Sequence, residues 1–347
     1  MTGTVLVTGG AGYIGSHTVR QLVAAGYRVV VLDDLSTGHR WAVAPQATLV
    51  VGNAGDAALA GALIEEHGVE AVVHFAGSIV VPESVADPLK YYGNNSAASR
   101  NLIEVCLRKN IARFIFSSTA AVYGTPDKVP VAETAPTKPV NPYGKSKLIT
   151  EWMLEDVAAS GAAGAFRHVI LRYFNVAGAS VDGALGQATE NATHLIKVAC
   201  EAACGVREKV VIYGTDYPTP DGTCIRDYIH VEDLASAHLD ALRYLENGGA
   251  SDTFNAGYGR GYSVREVLKA VEEASGVRLR IEYGSRRAGD SVELISEPAK
   301  IAERLDWIPR HGELGRICAT AYRWELEFRR KQAQGKLASM SQKMGAR

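Results

Sequence analysis

Through residue 174 the sequence alternates short apolar runs with amphipathic stretches of helical length and period. This alternation is typical of a parallel sheet whose strands are joined by right-handed crossover helices. From residue 175 onward, glycine and proline interrupt shorter elements. We therefore predict an α/β fold with a doubly wound parallel sheet and a smaller, mixed α/β C-terminal domain. The predicted strands are 4–8, 29–32, 48–51, 71–75, 114–118 and 169–172, and the predicted helices are 14–25, 59–67, 92–109 and 142–159.

The net charge and the apolar content of the chain limit the kinds of partner that it can bind. The chain has 347 residues and a formal net charge of -1, so it has no general positive field for nucleic acid or an anionic membrane. It contains no apolar stretch long enough to span a bilayer and begins without a secretion signal. We therefore predict a cytoplasmic protein without a nucleic-acid or membrane partner. The five cysteines are scattered apart from Cys200 and Cys204, and we expect reduced thiols and no metal site.

A glycine-rich turn follows the first predicted strand. Gly9, Gly12 and Gly15 lie between that strand and the first helix, in the pattern that points backbone N–H groups at a pyrophosphate. Gly9 permits the sharp turn, Gly12 the close approach of a ligand, and Gly15 the packing of helix on strand. A glycine turn alone is often only structural. Its place between a strand and a helix favours a Rossmann-type dinucleotide site.

An acidic residue, Asp33, ends the second predicted strand. In such a site this carboxylate accepts hydrogen bonds from the hydroxyls of the adenosine ribose. With Asp34 beside it, a 2′-phosphate would meet negative charge, so the pair predicts NAD rather than NADP. The alternative for Asp33 is a solvated carboxylate in a turn.

A tyrosine and a lysine begin the helix predicted over 142–159. Tyr143 and Lys147 are four residues apart and therefore share one helix face. Thr119 follows the strand 114–118 at the carboxyl edge of the sheet, where ligands of such sheets bind. Lowering the pKa of the phenol from about 10 to neutrality requires roughly 4 kcal/mol, which we expect Lys147 and a nicotinamide cation to supply. A surface tyrosine and lysine at this spacing are usually unremarkable, but joined to Thr119 and a dinucleotide turn they predict catalysis.

With these residues in place, the sequence resembles the extended short-chain dehydrogenase/reductase family over nearly its whole length, and within it the NAD-dependent epimerases of UDP-hexoses. The matching segments are 8–17, 74–77, 83–84, 91–95, 116–124, 142–147, 171–175, 222–231 and 286–290. The resemblance implies a retained NAD. It implies that Tyr143 is the base and acid and that Lys147 binds the nicotinamide ribose and tunes Tyr143. Thr119 lies where these enzymes carry serine or threonine, and we expect its hydroxyl to relay the substrate proton to Tyr143.

The resemblance also implies two sets of binding residues. The cofactor set is Gly9, Gly12, Tyr13, Ile14, Gly15, Asp33, Asp34, Asn53, Ala54, Phe75, Ala76, Gly77, Asn94, Ser117, Tyr143, Lys147 and Tyr173. The substrate set is Ser118, Thr119, Tyr143, Asn175, His194, Arg226, Tyr228, Arg287, Asp290 and Leu294. Asn175, Arg226 and Arg287 would hold the UDP diphosphate, because guanidinium groups suit phosphate oxygens. Asp290 would hold the uridine ribose.

The implied reaction interconverts UDP-glucose and UDP-galactose through a transient 4-keto sugar and enzyme-bound NADH. It requires firm binding of UDP and loose binding of the hexose. Alternatives are a 4-epimerase of UDP-N-acetylglucosamine or UDP-xylose/UDP-arabinose, and a non-catalytic NAD-sensing protein. A dehydratase or decarboxylase is a further alternative, but dehydratases of this family carry Asp-Glu after the threonine, where this chain has Ala120 and Ala121.

Four positions depart from the family pattern. Asn53 replaces an aspartate that contacts adenine in many relatives, and Ile79 replaces a lysine that helps hold the cofactor in some, which predicts looser retention of NAD. His194 lies near a substrate contact that is often asparagine, although a structural histidine is an equal interpretation. Leu294 occupies the position that gates the sugar's 2-substituent, where we expect it to disfavour acetamido sugars by crowding; simple core filling is the alternative.

The resemblance completes the predicted organisation. Residues 1–174 form the NAD-binding Rossmann domain, joined by a returning segment around 223–245. Residues 175–335 form the UDP-sugar-binding domain, and 336–347, which are polar and small, form a disordered tail. The family implies a homodimer, for which the helices near 92–109 and 142–159 are the candidate interface.

Overall fold

The structure is a computed structural model that describes residues 3–160, 164–287 and 289–335. The predicted tail, 336–347, lies outside these residues. The strands, numbered in chain order, are β1 (Thr4–Thr8), β2 (Arg28–Asp33), β3 (Thr48–Val51), β4 (Val69–His74), β5 (Arg113–Ser117), β6 (Arg167–Tyr173), β7 (Asn175–Ala177), β8 (Val210–Tyr213), β9 (Ile225–His230), β10 (Asp252–Ala256), β11 (Gly261–Ser263), β12 (Ile281–Gly284) and β13 (Glu293–Leu294).

The helices connect and cover these strands. They are α1 (Tyr13–Ala24), α2 (Ala57–His67), α3 (Val81–Ala86), α4 (Pro88–Tyr91), α5 (Ala98–Arg108), α6 (Pro142–Ala159), α7 (Leu195–Ala203), α8 (Val231–Glu246), α9 (Val264–Ser275), α10 (Ala299–Leu305) and α11 (Leu314–Ala333). The helix predicted over 92–109 is divided, because Tyr92–Ala97 is a π-helical turn that leads into α5.

The main sheet confirms the predicted doubly wound fold. Among the described residues, its strands lie in the order β10-β6-β5-β4-β1-β2-β3, and all pair in parallel. Val5 and Val7 face one apolar core, with α1 and α8, while Leu6 faces the other, with α2, α5 and α6. Burial of both faces explains why these strands are continuous apolar runs rather than alternating ones.

The strand order places a ligand-binding crevice at one point. The chain runs outward from β1 through β2 to β3 and then crosses back to β4, on the other side of β1. Thr8 at the end of β1 lies opposite His74 at the end of β4. Ligands of doubly wound sheets bind outside the carboxyl ends of the strands at such a reversal. The loops after β1, β4 and β5 therefore frame the site.

A smaller unit lies beyond residue 175. Its sheet joins β11, β9 and β13, with β7 paired to β9, and β8 pairs with β12. Helices α7, α9 and α11 pack around an apolar cluster that includes Ile212, Val271 and Ile317.

The chain returns to the main sheet after β9. Within the segment predicted to return, 223–245, β9 belongs to the smaller sheet, while α8 packs on the main sheet against α1. β10 then forms the edge of the main sheet beside β6. The division into two domains at residue 174 stays a prediction.

Candidate active site

The glycine turn after β1 is shaped for close backbone packing. Gly9 has φ +71°, and a Cβ there would lie 2.6 Å from the backbone nitrogen of Ala76. A Cβ on Gly15 would lie 2.2 Å from the carbonyl oxygen of Gly9, so α1 can approach β1 only with glycine. Within the described residues no side chain caps the start of α1 at Gly12. The N–H groups there suit an anionic ligand such as a pyrophosphate.

Asp33 lies beside this turn and is buried. Its carboxylate accepts hydrogen bonds from the backbone N–H of Ala11, at 2.9 Å, and of Leu35, at 2.8 Å. Burial raises the pKa of Asp33, and these two hydrogen bonds lower it. Asp33 therefore fixes the glycine turn and keeps lone pairs for a ribose. Asp34, in contrast, accepts from Ser36 in an exposed turn.

Other residues of the predicted cofactor set hold the surrounding loops. The Tyr13 hydroxyl donates to the carbonyl of Gly178 at 2.6 Å, so that side chain joins α1 to the loop after β7. Ile14 packs against the main core and Ala54 is buried. The amide oxygen of Asn53 accepts from the N–H of Gly55 at 2.7 Å.

The loop after β4 carries Phe75, Ala76 and Gly77, and a buried asparagine fixes it. The side chain of Asn95 accepts from the N–H of Ser78 at 2.7 Å and donates to its carbonyl at 3.0 Å. A Cβ on Gly77 would lie 2.8 Å from Asn95 Oδ1 and 3.7 Å from Lys147 Nζ. Asn94, predicted as a cofactor contact, is exposed, and its amide donates to Ser78 Oγ at 3.1 Å.

Tyr143, Lys147 and Thr119 converge at the end of β5. The side chain of Asn141 accepts from the N–H of Gly144 at 2.9 Å and so caps α6, which presents Tyr143 and Lys147 on one face. All three predicted catalytic residues are buried. The Thr119 hydroxyl lies near enough to the phenol of Tyr143 to lower the pKa of that group.

Lys147 is held from two sides. Its Nζ donates to the carbonyl of Ser117 at 3.1 Å and lies 4.9 Å from the ring centre of Phe116. Burial lowers the pKa of Lys147 to about 8, and the charge of Glu151 acts in the opposite direction. The amine is thus a cation near neutral pH that loses its proton readily.

The protein groups around Tyr143 act on its pKa in opposite directions. Burial raises it above the ordinary value, Tyr173 adds to this effect, and the Thr119 hydroxyl opposes it. The protein groups alone therefore keep the phenol protonated at neutral pH, because desolvation of the phenolate outweighs its stabilisation.

The Ser117 hydroxyl joins a polar group next to Lys147. It donates to the Tyr173 hydroxyl at 3.2 Å and lies 3.3 Å from Nε2 of His238. The ring of Phe75 lies 4.6 Å from that of His238. Sequence reasoning missed His238, because it comes from α8, far along the chain.

The structure does not bring the Ser118 side chain to the site. Ser118 is fully buried, and its hydroxyl donates to the carboxylate of Glu151. The strand geometry explains this, because neighbouring side chains point to opposite faces. Ser117 and Thr119 face the crevice, and Ser118 faces away from it.

A charged group lies at the other end of the crevice. Arg226 Nη2 on β9 lies 3.8 Å from the carboxylate of Asp290, and Arg287 Nε donates to that carboxylate at 3.0 Å. The Arg287 guanidinium lies 4.9 Å from the ring centre of Tyr213, a contact that sequence reasoning missed. Two cations against one anion leave positive charge for an anionic ligand.

Asn175, His194 and Tyr228 line one cavity, together with Gln187 and Trp324. Nδ1 of His194 lies 3.0 Å from the side-chain nitrogen of Gln187, and burial lowers the pKa of this histidine. The structure thus brings three predicted substrate residues together between β7, β9 and α7.

Leu294 lies on β13, paired in register with Arg226 on β9. It is partly buried and packs against an apolar cluster that includes Tyr123 and Leu148. Leu294 is therefore next to Arg226 on one side and packs in the same cluster as Leu148 of α6, the helix that carries Tyr143, on the other.

The described residues hold no group of three or more His, Cys, Asp or Glu that could bind a metal ion. In the same part of the chain, no helix has the length and apolar character needed to cross a membrane.

These features have counterparts in known proteins. Residues 5–257 match the NAD dependent epimerase/dehydratase family. A UDP-glucose 4-epimerase of Azospirillum brasilense is 56% identical over 321 residues, which cover 92% of this chain and 91% of that protein. The crystal structure of UDP-glucose 4-epimerase from Brucella ovis in complex with NAD is 44% identical, with a TM-score of 0.90, and covers 94% of this chain and 99% of that one. The UDP-Glc/GlcNAc 4-epimerase from Campylobacter jejuni is 49% identical, with a TM-score of 0.82 and the same coverage.

Proposed function

The chain belongs to the NAD-dependent epimerase/dehydratase family, and from this membership we propose that it interconverts UDP-glucose and UDP-galactose with NAD as its cofactor. One observation carries the proposal. Tyr143, Lys147 and Thr119 are buried together at the carboxyl edge of the sheet. Their convergence supports an acid/base role for Tyr143 beside the proposed NAD site.

The residues at the sheet edge fit NAD. The N–H groups at the start of α1 would hold its pyrophosphate, Asp33 its adenosine ribose, and Lys147 its nicotinamide ribose. Bound NAD would accept a hydride from carbon 4 of the hexose and return it. Gly9 and Gly15 support the fit, because any side chain there would collide with backbone.

The chain's own groups would move the proton. Tyr143 takes it from the hydroxyl on carbon 4, with Thr119 as the relay, and returns it after the sugar has turned over. Because the protein groups raise the pKa of Tyr143, the phenol needs further positive charge to act as a base. A cationic nicotinamide, in addition to Lys147, is suited to supply it.

Assay of the purified protein tests the activity. We expect UDP-galactose to be converted to UDP-glucose without added reductant, and absorbance at the reduced-nicotinamide band to rise transiently. An unchanged sugar and an unchanged spectrum would instead support a non-catalytic NAD-sensing protein. Release of a 4-keto-6-deoxy sugar would support a dehydratase, although Ala120 and Ala121 leave that reaction without its extra carboxylates.

Loss of one arginine should weaken UDP binding. The Arg226 side chain is largely buried and paired with Asp290, and a charged hydrogen bond is worth about 1.5–3 kcal/mol. We expect Arg226→Met to weaken UDP affinity roughly 30-fold by calorimetry, with Arg280→Met, an exposed pair with Glu208, as the control. Equal affinity in both variants would contradict the diphosphate role.

The residue at 294 should set the tolerance for acetamido sugars. Leu294→Gly opens the space beside Arg226, and we expect it to raise kcat/KM for UDP-N-acetylglucosamine about tenfold, a typical effect of fitting a few extra atoms in a pocket. We expect Leu294→Tyr to lower kcat/KM for UDP-N-acetylglucosamine below the wild-type value. Activity on UDP-glucose is the internal control, and an unchanged preference across the series would remove Leu294 from this role.

We propose that the protein is a homodimer. The side chain of Trp152 on α6 is 52% exposed. Helices α3 and α4 pack against α6, and each carries an exposed apolar residue: Val85 on α3 is 65% exposed and Leu89 on α4 is 79% exposed. Apolar surface of this kind marks interfaces.

The cytoplasmic location likewise remains a prediction.

Light scattering tests the dimer. We expect Trp152→Glu to convert the dimer to a monomer at micromolar concentration, because it places a charge in a desolvated contact. Tyr283→Glu, at an exposed position on β12, is the control. A wild-type monomer, or a dimeric Trp152→Glu, would contradict this interface.

A further inference from the structure

A buried ion pair lies behind the proposed catalytic residues. The Glu151 carboxylate is inaccessible to solvent and the Arg172 guanidinium nearly so. Arg172 Nε lies 3.2 and 3.1 Å from the two carboxylate oxygens, and Nη2 lies 2.6 Å from one of them. This fork geometry is the strongest form of such a pair.

Stability alone does not explain the pair. Desolvation of two charges costs several kcal/mol, and an apolar replacement of equal volume is often as stable. The two residues do, however, contact other polar side chains. The Ser118 hydroxyl donates to Glu151, and Arg172 Nη1 donates to the Tyr123 hydroxyl at 3.0 Å.

These contacts join three elements that carry the proposed reaction. Glu151 lies on α6, four residues after Lys147 and eight after Tyr143. Ser118 lies directly before Thr119, and Arg172 directly before Tyr173 on β6. Fixing Ser118 against α6 therefore fixes Thr119 against Tyr143.

We propose that Glu151 is a positioning residue for the reaction: with Ser118 and Arg172 it holds Thr119 in reach of Tyr143, and one helical turn from Lys147 it keeps that ammonium charged. This inference rests on the proposed function.

The surroundings of Lys147 support the charge role. From β5 it meets the Ser117 carbonyl and the Phe116 ring. From β4 it faces His74, whose pKa burial lowers to about 3, so that this ring is neutral. Glu151 is the carboxylate that acts on Lys147, and it raises the pKa of that amine against the effect of burial.

Ser118→Ala tests the positioning role with the smallest change. It removes one hydroxyl, and we expect kcat to fall about ten- to a hundredfold, because a misplacement of about 1 Å can cost about 10² in rate, while KM and UDP affinity stay within twofold. A raised KM with unchanged kcat would overturn the proposal and make Ser118 a substrate contact, as the sequence suggested. Unchanged kcat and KM would also overturn it.

Glu151→Gln tests the charge role. We expect the alkaline limb of the pH profile of kcat/KM to move down by about one pH unit, because loss of a nearby opposite charge disfavours the ammonium. In Glu151→Asp the alkaline limb should lie closer to its wild-type pH than in Glu151→Gln. Glu155→Gln, at an exposed position on the next turn of α6, should leave the limb at its wild-type pH. An unmoved limb in Glu151→Gln would overturn the proposal.

Titration of Lys147 does not depend on turnover, so it tests the charge role separately from the proposed function. In NMR titration of the lysine side chains, the Lys147 ammonium should lose its proton at lower pH in Glu151→Gln than in wild type. A wild type that is inactive on UDP-galactose contradicts the proposed function alone. An unchanged Lys147 titration contradicts the charge role whether or not the protein turns over. If Glu151→Gln fails to fold, Ser118→Ala still decides the positioning role.

Discussion

Tyr143→Phe should lower kcat at least about a thousandfold and leave UDP affinity within twofold of wild type. The change removes only the phenol oxygen, which is the proposed acid and base, and such groups contribute about 10²–10⁴ in rate. The ring keeps its edge contact with Tyr91, whose centroid lies 6.4 Å away. Steady-state kinetics on UDP-galactose and calorimetry with UDP measure the two quantities.

Tyr27→Phe is the matched control, because it removes a phenol oxygen that is bonded to Glu246 at 2.6 Å, remote from the crevice. A Tyr143→Phe variant with near-normal kcat would remove Tyr143 from the chemistry. A collapse of its UDP affinity would indicate instead that the phenol shapes the substrate site.

The sequence predicted the parts of this molecule that local patterns encode. The helix predicted over about 142–159 agrees with Pro142–Ala159 in the structure, where Asn141 caps its first turn and Pro142 begins it. The strand and helix alternation likewise encodes the parallel sheet, since each strand is an uninterrupted apolar run. Tyr143 and Lys147 could be paired from spacing alone, because both lie on one regular helix.

Features that depend on long-range packing were not predictable in this way. Asn95, in the π-helical turn Tyr92–Ala97, is buried and holds the loop after β4, a contact that the sequence did not predict. No residue pattern in that stretch distinguishes a π turn from an α-helix. The desolvation of the Tyr143 phenol was not predictable either, because it depends on how many elements cover Tyr143, which spacing does not reveal.

Acid should destabilise the protein steeply below about pH 6.5. Burial lowers the pKa values of six histidines, so they are neutral in the folded protein, whereas the unfolded chain takes up protons near pH ~6.5. These residues are His17, His74, His168, His194, His230 and His238. The pKa values of His17, His168 and His238 fall to about 4.

The sign follows from proton binding. Between pH ~6.5 and the lowered folded values, the unfolded state binds more protons than the folded one, so stability falls as pH falls. Each pKa unit corresponds to about 1.4 kcal/mol. Even a partial contribution from several histidines is then comparable with a whole folding free energy of about 5–15 kcal/mol. We expect the thermal midpoint to fall sharply between pH 6.5 and 4.5.

One histidine allows a direct test of this cause. His168 is buried, and Nδ1 of its ring has no hydrogen-bond partner in the part of the chain that the structure describes. His168→Leu keeps the apolar packing and removes the titrating ring, so its urea-unfolding free energy should fall less between pH 7.5 and 5 than that of wild type. His67→Leu, at a partly exposed position, should keep the wild-type pH dependence. Equal pH dependence in all three proteins would contradict a contribution of the His168 imidazole to the acid unfolding.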